Sequence, residues 1–350
     1  MVKIGIIGTG SISEEHIKAY LKNPDAELYA LCDINEDRLK AVGEKYNVRH
    51  LFTDMNDMLA LSELDAVSIC TRNSEHAPCA IAALEAGKHV LCEKPMSTDV
   101  ASAVRMKEAA EKSGRTLMIG FVRRFGPDCA AMKRFVEAGD LGEVYYAKVR
   151  TVRRKGNPGG WFGQKALSGG GPLIDLGVHT IDLVGFVTGN PKPVSVYGAA
   201  FHKLGARDDV VDPVGYTAAS ATGHDPCDVE DSAAALIRYD NGMVLSVETA
   251  FCLNTADTGN TVELFGTKGG IKLGKKFEYY SVQNGYMTNT ELCMDVRPDI
   301  EDIFSKEIDH FIDVINGRAE LINTPEQGIN IMKILMAVYE SEETKHEVVL

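Results

Sequence analysis

Lys3-Ile4-Gly5-Ile6-Ile7-Gly8-Thr9-Gly10-Ser11-Ile12-Ser13 decides how this chain is read. Residues 3–7 form a short apolar run that predicts a buried strand. Two glycines separated by one residue follow at once, and residues 14–21 then read as a helix. Strand, glycines and helix in that order form a dinucleotide-binding turn. The first glycine permits the tight turn and the second lets the main chain approach a pyrophosphate. The third position, here Ser13, needs only a small side chain where strand and helix pack. Amides at the helix N-terminus then face the phosphates. Gly8, Gly10, Ser11 and Ile12 are the expected cofactor contacts on this turn.

The next strand, residues 28–32, ends at Asp33, at the spacing where a carboxylate binds a ribose hydroxyl. Such a carboxylate repels a 2′-phosphate and favours NAD. Arg38, five residues on, softens that preference and leaves NADP possible. Asp33 could instead cap the helical segment 36–45. The alternation continues with a helix over 57–61, a strand over 66–70 and a polar loop over 71–76. A helix over 77–86 and a strand over 89–92 lead to Glu93-Lys94-Pro95. A helix over 100–113 and a strand over 116–122 complete the pattern. Six strands alternating with helices predict a right-handed parallel sheet. Lys94 falls at a strand's C-terminal edge, where ligands bind in open α/β sheets. Pro95 restricts it to extended backbone and leaves the bond open to a cis form.

A second glycine-rich stretch, Gly169-Gly170-Gly171-Pro172-Leu173-Ile174-Asp175-Leu176-Gly177-Val178-His179, reads as a hinge feeding a helix. Positions i and i+4 share a helical face, so Asp175 and His179 would project together. Asp182 reads as a helical acid with no assigned chemistry. Around this stretch the signals change. A helix over 127–138 and a strand over 144–154 precede it. Two hairpins follow, turning at Asp240-Asn241-Gly242 and at Gly266-Thr267-Lys268-Gly269. They predict an open, mainly antiparallel sheet, whose free face usually needs a cover. Trp161, the only tryptophan, is a candidate pocket wall or a packing residue. Two amphipathic helices, over 303–315 and 325–341, close the chain. The acid-rich loop 205–231 (Asp208, Asp209, Asp212, His224, Asp225, Asp228, Glu230 and Asp231) matches no metal motif and reads as a solvated loop or part of a substrate wall; no metal is expected.

The bulk properties agree with an enzyme of small molecules. The 350 residues suggest two domains, 1–124 and 125–350. A net charge of −13 offers no basic stripe for nucleic acid. No signal peptide and no membrane-spanning run is expected. Eight cysteines without a Cys-x-x-Cys pair point to buried thiols in a reducing, cytoplasmic setting.

The glycine turn, Glu93-Lys94-Pro95 and the stretch 169–179, in this order and spacing, resemble the glucose–fructose oxidoreductase / inositol dehydrogenase / rhizopine catabolism family, nearly end to end. The resemblance implies an α/β fold: an N-terminal NAD(P)-binding Rossmann domain and an α+β C-terminal domain. It implies catalytic roles for Lys94, Asp175 and His179. It extends the cofactor contacts to Thr71, Asn73, His76, Glu93 and Lys94. On the substrate side it adds Arg124, from Arg123-Arg124-Phe125, beside Lys94, Trp161, Asp175 and His179. It also implies a sugar, cyclitol or polyol substrate and a homo-oligomer, dimer or tetramer, formed through the C-terminal sheet. The reaction implied is hydride transfer between a secondary alcohol and nicotinamide, with His179 as base, Asp175 orienting it and Lys94 stabilising the reacting oxygen. Two alternatives share the scaffold: NAD-assisted glycoside hydrolysis or elimination, and a non-catalytic nucleotide sensor.

Overall fold

In the computed structural model, which describes residues 1–205, 207, 210, 211 and 215–350, β1 (Val2–Ile7) turns through Gly8-Thr9-Gly10 into α1 (Ser11–Lys22). Next come β2 (Ala26–Cys32), α2 (Glu36–Tyr46), β3 (His50–Phe52), α3 (Met55–Leu59) and β4 (Ala66–Ile69). They are followed by α4 (His76–Glu85), β5 (His89–Glu93), α5 (Val100–Ser113) and β6 (Leu117–Gly120). Local chemistry sets several ends. The Asp99 side chain accepts from Ser102 N at the start of α5, and Gly114 ends that helix at φ +65°.

The six strands pair in parallel in the order β3-β2-β1-β4-β5-β6. Their order reverses between β1 and β4, the position at which α/β sheets bind ligands beyond the strand ends. Ile4, Ile6, Ile69 and Leu91 are fully buried, as befits strands covered on both faces. β3 has only three residues, at the sheet edge, and no apolar run in the sequence marks it.

The chain continues through α6 (Pro127–Glu137), β7 (Val144–Val152) and the short α7 (Lys165–Ser168). A wide π-type turn over Leu173–Gly177 leads into α8 (Val178–Val187). β8 (Pro193–Phe201), β9 (Ser232–Tyr239), β10 (Val244–Ala250), β11 (Gly259–Gly266), β12 (Gly269–Leu273), β13 (Phe277–Gln283) and β14 (Tyr286–Glu291) follow. α9 (Ile300–Ile315), α10 (Pro325–Thr344) and β15 (Val348–Val349) end the chain. The second sheet has nine strands in the order β14-β13-β12-β11-β7-β10-β9-β8-β15. All its pairs are antiparallel except β7 with β10. Both predicted hairpins form, β9 with β10 and β11 with β12. The apolar stretch 165–187 reaches membrane-spanning length by composition, but 78% of its most apolar 18-residue window is buried inside the protein.

By contacts the chain divides into two units. One holds Met1–Val122 and Asp299–Met332, the other Arg123–Pro298 and Lys333–Leu350. This grouping differs from the two-block division at 124/125 in that residues 299–332 cluster with the first unit. The reason is visible in side chains. Lys22 pairs with Glu301, Arg318 lies 2.6 Å from Asp25, and Asn323 Nδ2 donates to the Ile119 carbonyl at 3.0 Å.

Candidate active site

Gly8 has φ +89°, and a Cβ there would lie 2.8 Å from the Cys70 carbonyl oxygen. The turn after β1 therefore requires glycine for both conformation and space. Gly10 differs: a Cβ there would meet nothing within 4 Å. It precedes the first turn of α1 and contributes no side-chain cap. The open space above it and the uncapped amides of Ser11 and Ile12 fit a bound pyrophosphate. Ser13 is fully buried, and its hydroxyl donates to the Gly10 carbonyl at 2.6 Å, so the third position packs as a small residue should.

Asp33 follows β2 and is almost wholly buried. Its carboxylate accepts from Thr9 N at 2.7 Å, Thr9 Oγ1 at 2.9 Å and Asn35 N at 2.8 Å, and it pairs with Arg38 at 2.8 Å. Burial works to raise its pKa, but Arg38 and the amides outweigh burial and hold it below the ordinary value. The helix cap is Asn35, whose side chain accepts from Arg38 N, and not Asp33. Asp33 thus ties the end of β2 to the glycine loop, and Arg38 is engaged with it.

The loop after β4 contains Thr71, Asn73 and His76. Asn73 and His76 are buried. His76 Nδ1 lies 2.7 Å from the Pro95 carbonyl oxygen, and Nε2 lies 3.2 Å from that of Thr71. Burial holds this imidazole below its ordinary pKa. His76 therefore braces the loop against the next turn. In that turn the Lys94–Pro95 bond is cis. Lys94 is half-buried between buried Glu93 and Pro95. Glu93 accepts from the Lys94 main-chain N–H at 3.1 Å through one oxygen and from His16 Nε2 at 2.8 Å through the other.

In the second unit, every residue from 170 to 184 is buried except Asp175 and His179. Leu173, Ile174, Val178 and Ile181 are fully buried. The carboxylate and the imidazole are the only two side chains that this stretch presents, four residues apart. The π-type turn makes this local geometry wider than the regular helix expected from sequence, a distortion often found at functional sites. Asp182 is on the buried side, where it receives two hydrogen bonds from Arg124, at 3.0 and 2.5 Å. The Arg124 side chain is 1% exposed. It holds α8 in place and offers no open guanidinium to a substrate. Trp161 is partly exposed and stacks on Phe162 at 3.9 Å between ring centres.

Sequence reading missed Glu230. Gly171 N donates to its carboxylate at 2.8 Å, Leu173 N at 3.1 Å and the Tyr339 hydroxyl at 2.9 Å. Glu230 thereby anchors the entry to the helix that carries Asp175 and His179. Its neighbour Asp231 is also buried and accepts from the amides of Lys203, Leu204 and Gly205. Both acids belong to the interior and not to a solvated loop. Asp225 accepts from Thr222 N in a local turn, Asp228 accepts from Lys165 N at the start of α7, and Asp208, Asp209 and Asp212 lie outside the described residues.

Residues 2–121 match the profile of an oxidoreductase family with an NAD-binding Rossmann fold, and residues 133–350 match its C-terminal alpha/beta domain. The chain belongs to the Gfo/Idh/MocA oxidoreductase family. It is an NAD-binding oxidoreductase. Among its relatives in this family, D-glucoside 3-dehydrogenase of Escherichia coli K12 is 34% identical over 98% of this chain and 96% of that protein. Myo-inositol 2-dehydrogenase of Thermotoga maritima is 29% identical over 77% of this chain and 74% of that protein. A levoglucosan dehydrogenase solved with NADH and levoglucosan shares the fold, with a TM-score of 0.84 at 22% identity, over 99% of both chains.

Proposed function

We propose that this chain is an NAD-dependent dehydrogenase that oxidises a secondary hydroxyl of a sugar glycoside, cyclitol or related polyol. The observation that carries the reading is the stretch 170–184, which buries everything except one acid and one imidazole. Gly8, Gly10, Ser11, Ile12 and Asp33 hold the dinucleotide, with the loop of Thr71, Asn73 and His76 and the Glu93-Lys94 turn beside it. When bound, NAD supplies the hydride acceptor. His179 takes the hydroxyl proton, since imidazole titrates near neutral pH. Asp175 fixes the tautomer of that imidazole and favours its protonated form. The Lys94 ammonium donates to the same oxygen as it gains alkoxide character. Trp161 lines the sugar side.

The names of the relatives support this substrate class: a glucoside, an inositol and levoglucosan all present secondary hydroxyls on a ring. The test is NADH formation with methyl glucosides, myo-inositol, levoglucosan and sugar acids, with NAD and NADP in parallel. Reduction of NAD by at least one ring polyol, faster than of NADP, supports the reading. Cleavage or elimination of a glycoside without net NADH would replace it with redox-assisted hydrolysis.

We also place the protein in the cytoplasm as a homo-oligomer. All eight cysteines are free, six of them buried. On the outer face of the second sheet, Tyr197 pairs across strands with Leu236, and both are about half exposed, with Phe201 nearby. An apolar patch of this kind is suited to a second copy. Light scattering at micromolar concentration should give a dimer or tetramer, and Leu236→Lys should reduce it.

A further inference from the structure

The first unit holds a buried polar cluster that the proposed reaction does not use. His16 of α1 is fully buried, as are Ser68 of β4 and Glu307 of α9. His16 Nε2 donates to Glu93 at 2.8 Å, and Nδ1 lies 3.3 Å from Ser68 Oγ. Ser68 Oγ in turn is 2.7 Å from the Tyr20 hydroxyl. Glu307 brings a second carboxylate, with ligand-type atoms of His16, Glu93 and Glu307 all within 4.8 Å of one another. The Phe304 ring packs against the imidazole, with centres 5.4 Å apart. Burial works against a charge on His16, but the neighbouring Cys70 sulfur and Glu93 carboxylate outweigh it and push its pKa above the ordinary value. Burial raises the Cys70 thiol, and Glu93 and Glu307 are the carboxylates that face the imidazole. His16 and Glu93 form a buried ion pair at 2.8 Å.

What the pair does follows from its second bond. The same Glu93 carboxylate that receives His16 also receives the main-chain N–H of Lys94. His16 stands one turn into α1, the helix that the glycine turn leads into and whose N-terminal amides would face the phosphates of a bound dinucleotide. One buried carboxylate thus fastens the Lys94 main chain to α1. We propose that His16 and Glu93 are positioning residues that hold Lys94 in register with the bound dinucleotide. This rests on the catalytic reading of Lys94 given above.

The test is a double-mutant cycle on NADH formation at saturating NAD, with methyl glucoside, myo-inositol and levoglucosan as probes. His16→Leu should lower kcat by about 10²-fold, the scale at which a misplaced catalytic group loses rate. In a Lys94→Ala background the same change should cost nothing further, because the group it positions is gone. His16→Gln, which keeps an N–H for Glu93, should recover most of the loss. If thermal unfolding shows that His16→Leu does not fold, Glu93→Ala in the two backgrounds carries the same comparison, with Glu93→Gln as its rescue. Multiplicative losses in the double variant, or wild-type kcat in His16→Leu, overturn the proposal. So does a stoichiometric metal ion in the purified protein that His16→Leu removes. Wild-type turnover in Lys94→Ala, or a wild-type protein that reduces NAD with none of the probes, removes the reading of Lys94 instead.

Discussion

Lys94 and the Asp175–His179 pair are mounted in similar ways, by opposite electrostatics. Each lies on a main-chain segment fastened by a buried glutamate. Glu93 receives the Lys94 N–H, and Glu230 receives the N–H groups of Gly171 and Leu173. Glu93 faces a cation, His16. Burial would raise its pKa, but His16 and Lys94 bring it below the ordinary value. Among the described residues, Glu230 meets neutral donors, two amides and the Tyr339 phenol, and burial leaves its pKa raised. A charged anchor gives a strong, directional link that fails badly when one partner goes. A neutral-donor anchor spreads a smaller effect over three hydrogen bonds.

The largest effect should come from unbalancing the charged anchor. His16→Leu leaves Glu93 buried beside Glu307 without its cation and should cost about 3–5 kcal/mol of stability in thermal or denaturant unfolding. A loss below that of the uncharged anchor would erase the contrast. On the other side, Gly171→Ala places a methyl against the Glu230 main-chain carbonyl and 3.1 Å from its carboxylate carbon. It should cost about 1–3 kcal/mol by overpacking. Tyr339→Phe removes one donor of three and should cost about 1 kcal/mol, with the two amide bonds retained; unchanged stability would mean the phenol contributes nothing to the anchor.

The pH response is smaller and differs in sign. The lowered pKa of Glu93 makes its contribution present above the ordinary carboxyl value of 4.5 and lost as pH falls through the folded value. The raised pKa of Glu230 makes its contribution present below 4.5 and lost as pH rises through the folded value. From acid to neutral pH, the Tm gap between wild type and Glu93→Gln should therefore widen, while that for Glu230→Gln should narrow. Parallel gaps would show that the two anchors do not differ as described.

The same contrast explains what could be read from sequence. The Gly8-to-Ser13 turn, Asp33 and Lys94 are legible because strand, glycine and proline rules act over a few residues. The Asp175–His179 spacing is legible for the same reason, although the widened turn beneath it is not. Arg124 was misread because its partner, Asp182, stands 58 residues away and looked like an ordinary helical acid. Glu230 was misread because an acid in a polar, proline-punctuated run looks solvated, and its donors at Gly171 and Leu173 lie 59 and 57 residues away. The return of 299–332 to the first unit depends on tertiary pairs such as Arg318 with Asp25, which no local pattern encodes.

On the proposed reading, Asp175 and His179, the two partly exposed side chains of the 170–184 stretch, perform the proton chemistry. Steady-state kinetics of His179→Ala on the best ring polyol, with NADH binding followed by fluorescence, tests it most directly. In this variant kcat should fall by about 10²–10⁴-fold, the usual worth of a general base, while NADH affinity stays at the wild-type value. Wild-type kcat in this variant, with the protein folded, would contradict it.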